Sequence, residues 1–169
     1  MPRRLAHEII GLPWRKFAGE VWRPTCIFLK FVCFMDVLSN YVGGLTLPMG
    51  PSMLPTFNIS GDVVLTEKIS HRFGKIKHGD IILLRSPENP RKVVAKRITG
   101  MEGDCVDSNK TEHGKQNQQI VVPKGHVWVE GDNPSVSKDS RNYGAAPCAL
   151  IEGKLFFRIW PIEGFGHLK

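Results

Sequence analysis

A nearly unbroken apolar run at residues 26–47, CIFLKFVCFMDVLSNYVGGLTL, constrains this chain more than any other feature. A helix rises ~1.5 Å per residue, so roughly 20 residues suffice to cross the hydrocarbon of a bilayer. The run therefore predicts a membrane anchor, with an amphipathic helix packed on a domain as the alternative. Lys30 can snorkel towards the basic side, whereas Asp36 near the middle costs about 2.5–3.5 kcal/mol on insertion scales. Residues 1–25 form a basic N-terminal segment, with Arg3, Arg4, Arg15, Lys16 and Arg23 against Glu8 and Glu20. The positive-inside rule then keeps the N-terminus on the cytoplasmic or matrix side and exports the chain beyond the run. A cleaved secretory signal fits poorly, because a short n-region and an Ala-x-Ala site are missing.

Residues 48–169 read as one domain of β type. Short β-branched runs at 63–65, 81–84, 93–98, 120–122, 127–129 and 155–159 alternate with turn residues. Gly61-Asp62, Gly79-Asp80, Gly103-Asp104 and Gly131-Asp132 border those runs and read as structural turns. The polar stretch 107–119 is expected to be a long loop or flap. The whole chain of 169 residues carries 23 basic against 16 acidic side chains, a net charge of +7. That balance suits an anionic membrane surface or nucleic acid equally. Cys26, Cys33, Cys105 and Cys148 form no Cys-x-x-Cys pair, and buried thiols are expected.

Three segments could carry chemistry. Ser52 stands in Met49-Gly50-Pro51-Ser52-Met53-Leu54-Pro55-Thr56, a loop in which a serine is ordinarily a turn residue. A nucleophile elbow is excluded, since Leu54 replaces the final glycine and Pro55 forbids an immediate helix. No histidine pair has metal-ligand spacing, and the six histidines read as surface residues. In Val93-Val94-Ala95-Lys96-Arg97-Ile98 the period of two puts Lys96 with Val94 and Ile98, and Arg97 on the opposite face. To act as a base near neutral pH a lysine must drop about 3 units, a cost of ~4 kcal/mol that burial among apolar side chains could supply. A solvated edge-strand lysine is the plainer alternative. The third segment, residues 131–141, is dense in hydroxyls, with Asp139 two residues before Arg141.

Together these segments resemble the type I signal peptidases, membrane proteases that use serine and lysine. Residues 52–56 match the nucleophile box, Gly79-Asp80-Ile81-Ile82 the next strand, 96–104 the lysine box, and Gly131-Asp132-Asn133 through Asp139-Ser140-Arg141 the last. Length, the Gly50-Pro51 approach and the ending 153–161 look most like the mitochondrial inner membrane branch, of its subunit 1 type, with a bacterial or plastid enzyme as the alternative. The resemblance implies a signal-peptidase-like β-barrel or sandwich behind one transmembrane helix. It makes Ser52 the nucleophile and neutral Lys96 its base, with Ser137 orienting the lysine and Asp139 and Arg141 as a supporting ion pair. No metal or cofactor is implied. Gly50 replaces a serine that helps hold the oxyanion in many bacterial members, which leaves backbone N–H groups, that of Ser52 above all. Precursors with sorting signals, the membrane and a related second subunit would be partners, with the catalytic domain facing the intermembrane space.

Two rivals remain. A self-cleaving repressor would need a helix-turn-helix where the apolar run stands. A basic β-barrel binding nucleic acid would expose aromatics for stacking, whereas Trp128, Phe156, Phe157 and Trp160 read as core.

Overall fold

The computed structural model describes residues 14–108 and 118–168. Histidines 7 and 113 and the centre of the polar stretch 107–119 lie outside the described residues. Two compact units are present, one ending at Ser39 and the other beginning at Asn40.

The first unit is dominated by helix α1, Trp14–Val37, which continues as a π-helical turn, Leu38–Val42. Glu20–Val42, 23 residues, is long and apolar enough to cross a membrane. Trp22, Ile27, Phe28, Leu29, Phe31 and Phe34 all face outward, as lipid-facing side chains do. The expected anchor at 26–47 differs from this at both ends. Helix begins earlier because residues 14–25, although mixed in charge, interrupt helix formers only with the isolated Gly19 and Pro24. It ends by Val42 because Gly43 and Gly44 are poor helix formers and Gly43–Thr46 joins a sheet instead.

The second unit is mainly β, as the punctuation predicted. Its strands are β1 (Gly43–Thr46), β2 (Val63–Glu67), β3 (Ile81–Arg85), β4 (Val93–Gly100), β5 (Cys105–Ser108), β6 (Gln118–Val121), β7 (His126–Glu130), β8 (Ala146–Pro147), β9 (Ile151–Trp160) and β10 (Gly166–His167). A short helix, α2 (Ser140–Tyr143), lies between β7 and β8. The main sheet runs β1-β2-β9-β3-β4-β7-β8 with β10 added to β9, and every pairing is antiparallel. β5 and β6 form a separate ribbon, so both ends of the stretch expected to be a loop are strand.

The sheet is buried on both faces, which explains why β3 reads Ile-Ile-Leu-Leu rather than alternating. Ile82, Leu84, Ile98, Val127, Val129 and Ile151 pack on one face. Ile81, Val64 and Leu155 pack on the other with Met53 and Phe57. Trp128 is fully buried, as expected, but Trp160 is 51% exposed because it ends β9 where the strand runs off the sheet. The cysteines differ from expectation as well: Cys33, Cys105 and Cys148 are exposed and Cys26 is partly so.

Ile82 stands directly opposite Lys96 across β3 and β4. Ile82→Ala should lower unfolding stability by about 2–5 kcal/mol, the usual range for such a cavity, read from thermal unfolding of the detergent-solubilised chain.

Candidate active site

Ser52 sits in a single 3₁₀ turn, Pro51–Met53, that proline favours by fixing φ. Gly50 precedes it with φ of 110°, a conformation that disfavours any side chain. The Gly50 N–H bonds to Ile59 O at 2.8 Å, and the Phe57 N–H to Met53 O at 2.9 Å. Met53 and Phe57, 3% and 1% exposed, nail the turn to the core. From the other side the Asn133 N–H bonds to Ser52 O at 3.1 Å. The nucleophile candidate is thus held by its main chain, and its hydroxyl makes no hydrogen bond among the described residues.

Lys96 projects from β4 onto the face of Ile98 and is 2% exposed. The solvated edge-strand alternative is therefore excluded. Its Nζ donates to Ser137 Oγ at 2.6 Å, and the Ser137 hydroxyl donates to Asp139 Oδ2 at 2.5 Å. Asp139 also accepts the Gly131 N–H at 2.9 Å and Arg141 Nε at 2.8 Å, and it caps α2. Burial pushes the Lys96 amine below its ordinary value; the Asp139 carboxylate opposes that and Arg141 reinforces it. Burial pushes Asp139 up, but Arg141, the Gly131 N–H and the Ser137 hydroxyl outweigh it and hold the carboxyl low. The result is a carboxylate, a hydroxyl and a desolvated amine in series.

Gly131 brings the two serines' segments together. A Cβ there would stand 2.2 Å from Ser137 Oγ and 2.5 Å from Ser52 O. Only glycine fits between them.

Sequence reasoning took Gly131-Asp132 for a turn and gave Arg97 and Thr56 no role, yet these residues tie the site together. Arg97 Nε and Nη2 reach Asp132 Oδ1 and Oδ2, each at 2.8 Å, and the Thr56 hydroxyl donates to Oδ2 at 2.5 Å. Arg97 Nη1 also bonds to Gly79 O at 3.0 Å. Four of the matched segments meet at one guanidinium. Burial pushes Asp132 up, but its bonds to Arg97 and Thr56 keep it low. The signal was available in the strand period, which placed Arg97 opposite Lys96, and in Thr56 and Asp132 standing inside motif boxes.

Beside Ser52 lies a cavity of about 360 Å³ lined by Leu47, Met49, Met53, Leu83, Val93 and Ala95 among others. β7 pairs with β4 only from Arg97 onward, so residues 93–96 keep one edge without a strand neighbour among the described residues. An open strand edge beside an apolar cavity can accept an extended peptide.

Comparison with known proteins decides the class. The family model "Signal peptidase, peptidase S26" matches residues 22–112 and 107–160. The chain belongs to that signal peptidase family. It is 48% identical over 157 residues to "Mitochondrial ATP-independent inner membrane protease subunit 1a" of Arabidopsis thaliana, covering 92% of this chain and 94% of the relative. Against Saccharomyces cerevisiae "Mitochondrial inner membrane protease subunit 1" identity is 36% over 147 residues, covering 80% of this chain and 77% of the relative. Against subunit 2 of the same yeast it is 34% over 150 residues, covering 85% and 83%. The chain is accordingly a serine-type endopeptidase of the signal peptidase family, rather than a self-cleaving repressor, itself a hydrolase, or a non-catalytic β-barrel.

Gly131→Ala should cut kcat/KM by about a hundredfold, the scale of a misplaced catalytic group, while circular dichroism stays that of a folded β protein. Breaking the Arg97–Asp132 pair by Asp132→Ala should cost about 3 kcal/mol of stability, since a mostly buried guanidinium loses its carboxylate.

Proposed function

We propose that this signal peptidase family member cleaves sorting peptides from precursors with Ser52 as nucleophile and Lys96 as general base. The buried hydrogen-bonded series of Lys96, Ser137 and Asp139 carries the reading, because it leaves a desolvated amine with one donor engaged and its lone pair free for another hydroxyl. The neutral amine takes the Ser52 proton as the oxygen attacks the carbonyl, then returns it to the leaving amine. Ser137 orients the lysine, and Asp139 with Arg141 fixes Ser137. The oxyanion falls to backbone N–H groups, that of Ser52 first, because Gly50 offers no side chain.

The substrate lies extended along the 93–96 edge of β4, with one side chain before the cleaved bond in the cavity beside Ser52. The names of the relatives support a mitochondrial inner membrane setting. The basic N-terminal segment of residues 1–25 supports a matrix-side start, and the apolar run of 26–47, with its helical part ending at Val42, serves as the anchor. Residues 48–169 then form the peptidase domain on the intermembrane-space side. A related second subunit is expected as partner, since both yeast subunits align with this chain.

Ser52→Ala and Lys96→Ala should each lower precursor processing by about 10⁴-fold or more while remaining folded. Wild-type processing by either folded variant sinks the mechanism.

The pH dependence has a definite sign. Lys96 titrates below its ordinary 10.5, so kcat/KM should rise as pH climbs through the lowered value and the amine becomes neutral. Asp139→Asn removes the anion that holds the amine up, and should move that acid limb to lower pH. The same shift makes stability rise with pH: burial of the ammonium carries a cost below the folded value, and the cost disappears above the ordinary one. A limb that does not move in Asp139→Asn contradicts the assignment.

A further inference from the structure

We infer that the loop after β2, residues 68–77, is a docking site for anionic phospholipid headgroups at the bilayer surface; this rests on the apolar helix being a membrane anchor. Register places the loop. Gly43, the first residue after the apolar span, pairs with Glu67, the last residue of β2, so the loop leaves the sheet at the end where the span enters. Two contacts tie it there. The Lys68 N–H bonds to Val42 O at 2.8 Å, and the Arg72 guanidinium lies 5.1 Å from the ring centroid of Tyr41. Tyr41 and Val42 are the last two residues of the span, and a tyrosine there suits the interfacial zone.

The loop's chemistry matches phosphates set in an apolar boundary. The sequence KISHRFGKIK carries Lys68, Arg72, Lys75 and Lys77 and not one carboxylate. Arg72, Lys75 and Lys77 are exposed; Phe73, between Arg72 and Lys75, is 71% exposed, and Ile69, between Lys68 and Arg72, is 41% exposed. Of the acids beside it, Glu67 accepts the Ser70 N–H, and Asp80 is paired with Lys154 while accepting the Lys77 N–H. Each basic side chain near an anionic surface contributes about 1 kcal/mol, close to a fivefold gain in occupancy. Tight loop–bilayer contact would hold the β1–β2 end of the sheet, and with it the segment leading to Ser52, at fixed height.

The full chain carrying Phe73→Trp is reconstituted into vesicles of brominated phosphatidylcholine with or without brominated phosphatidylglycerol, and quenching is read against the protein without the added tryptophan. Quenching should be strong only with phosphatidylglycerol, should weaken with added salt, and should fall to the neutral-vesicle level in Arg72→Gln/Lys75→Gln/Lys77→Gln. Equal quenching in both vesicles overturns the inference, as does none in either while the protein floats with them, which leaves the anchor standing. Relief of quenching by inorganic phosphate beyond that given by sodium chloride of equal ionic strength, or contact formed only when a second protease subunit is added, also overturns it. Failure to float with any vesicle removes the anchor itself.

Discussion

The fully buried position of Lys96 in an antiparallel sheet is the constraint on which the rest depends. A lysine ammonium is stable in water and costly in an apolar layer, so the fold must either neutralise it or surround it with acceptors. This chain does a measured amount of both. Ile82 and Ile98 keep water away, while a single hydroxyl, itself bonded to Asp139, receives one N–H. A carboxylate in direct contact would restore the charge; with Ser137 between them, Asp139 is bonded to the hydroxyl rather than the amine and raises the amine's basicity only at a distance. Arg141 completes the balance by holding the carboxylate's own charge.

Position is governed by a second ion pair on the other side of β4. Successive residues of a strand point to opposite faces, so Lys96 and Arg97 can serve two networks without touching. Arg97 binds Asp132, Thr56 and Gly79, and thereby locks the segment after the Ser52 turn, the strand and the last loop into one unit. The proposed base and the structural arginine are neighbours in sequence because the strand turns their side chains to opposite faces.

Much of this was legible in the chain alone. Six strand cores were readable from β-branched runs, and Lys96's face followed from a period of two. Ser52, Lys96, Ser137, Asp139 and Arg141 were readable through ordered motifs, and the structure brings the last four into one hydrogen-bonded series. Three kinds of feature escaped. β1 was hidden because this short edge strand, with no buried residue, continues the apolar run of the membrane helix without a break in polarity, and Gly43-Gly44 was the only mark of the change. β5 carries a cysteine and an aspartate and was too polar to stand out. The Arg97–Asp132 pair lies 35 positions apart and emerges only once register is known.

The half-paired state of β4 has a further consequence. An edge of four residues offers N–H and C=O groups to a partner that brings its own unpaired set, which a helix cannot do because its groups are already engaged. A targeting segment still wound as a helix in the bilayer would therefore present nothing the edge can hold. Under the proposed binding along this edge, selection acts on conformation before it acts on side chains: the bond to be cut must first be unwound, and flanking residues that resist helix formation would be processed ahead of equally small residues that favour it.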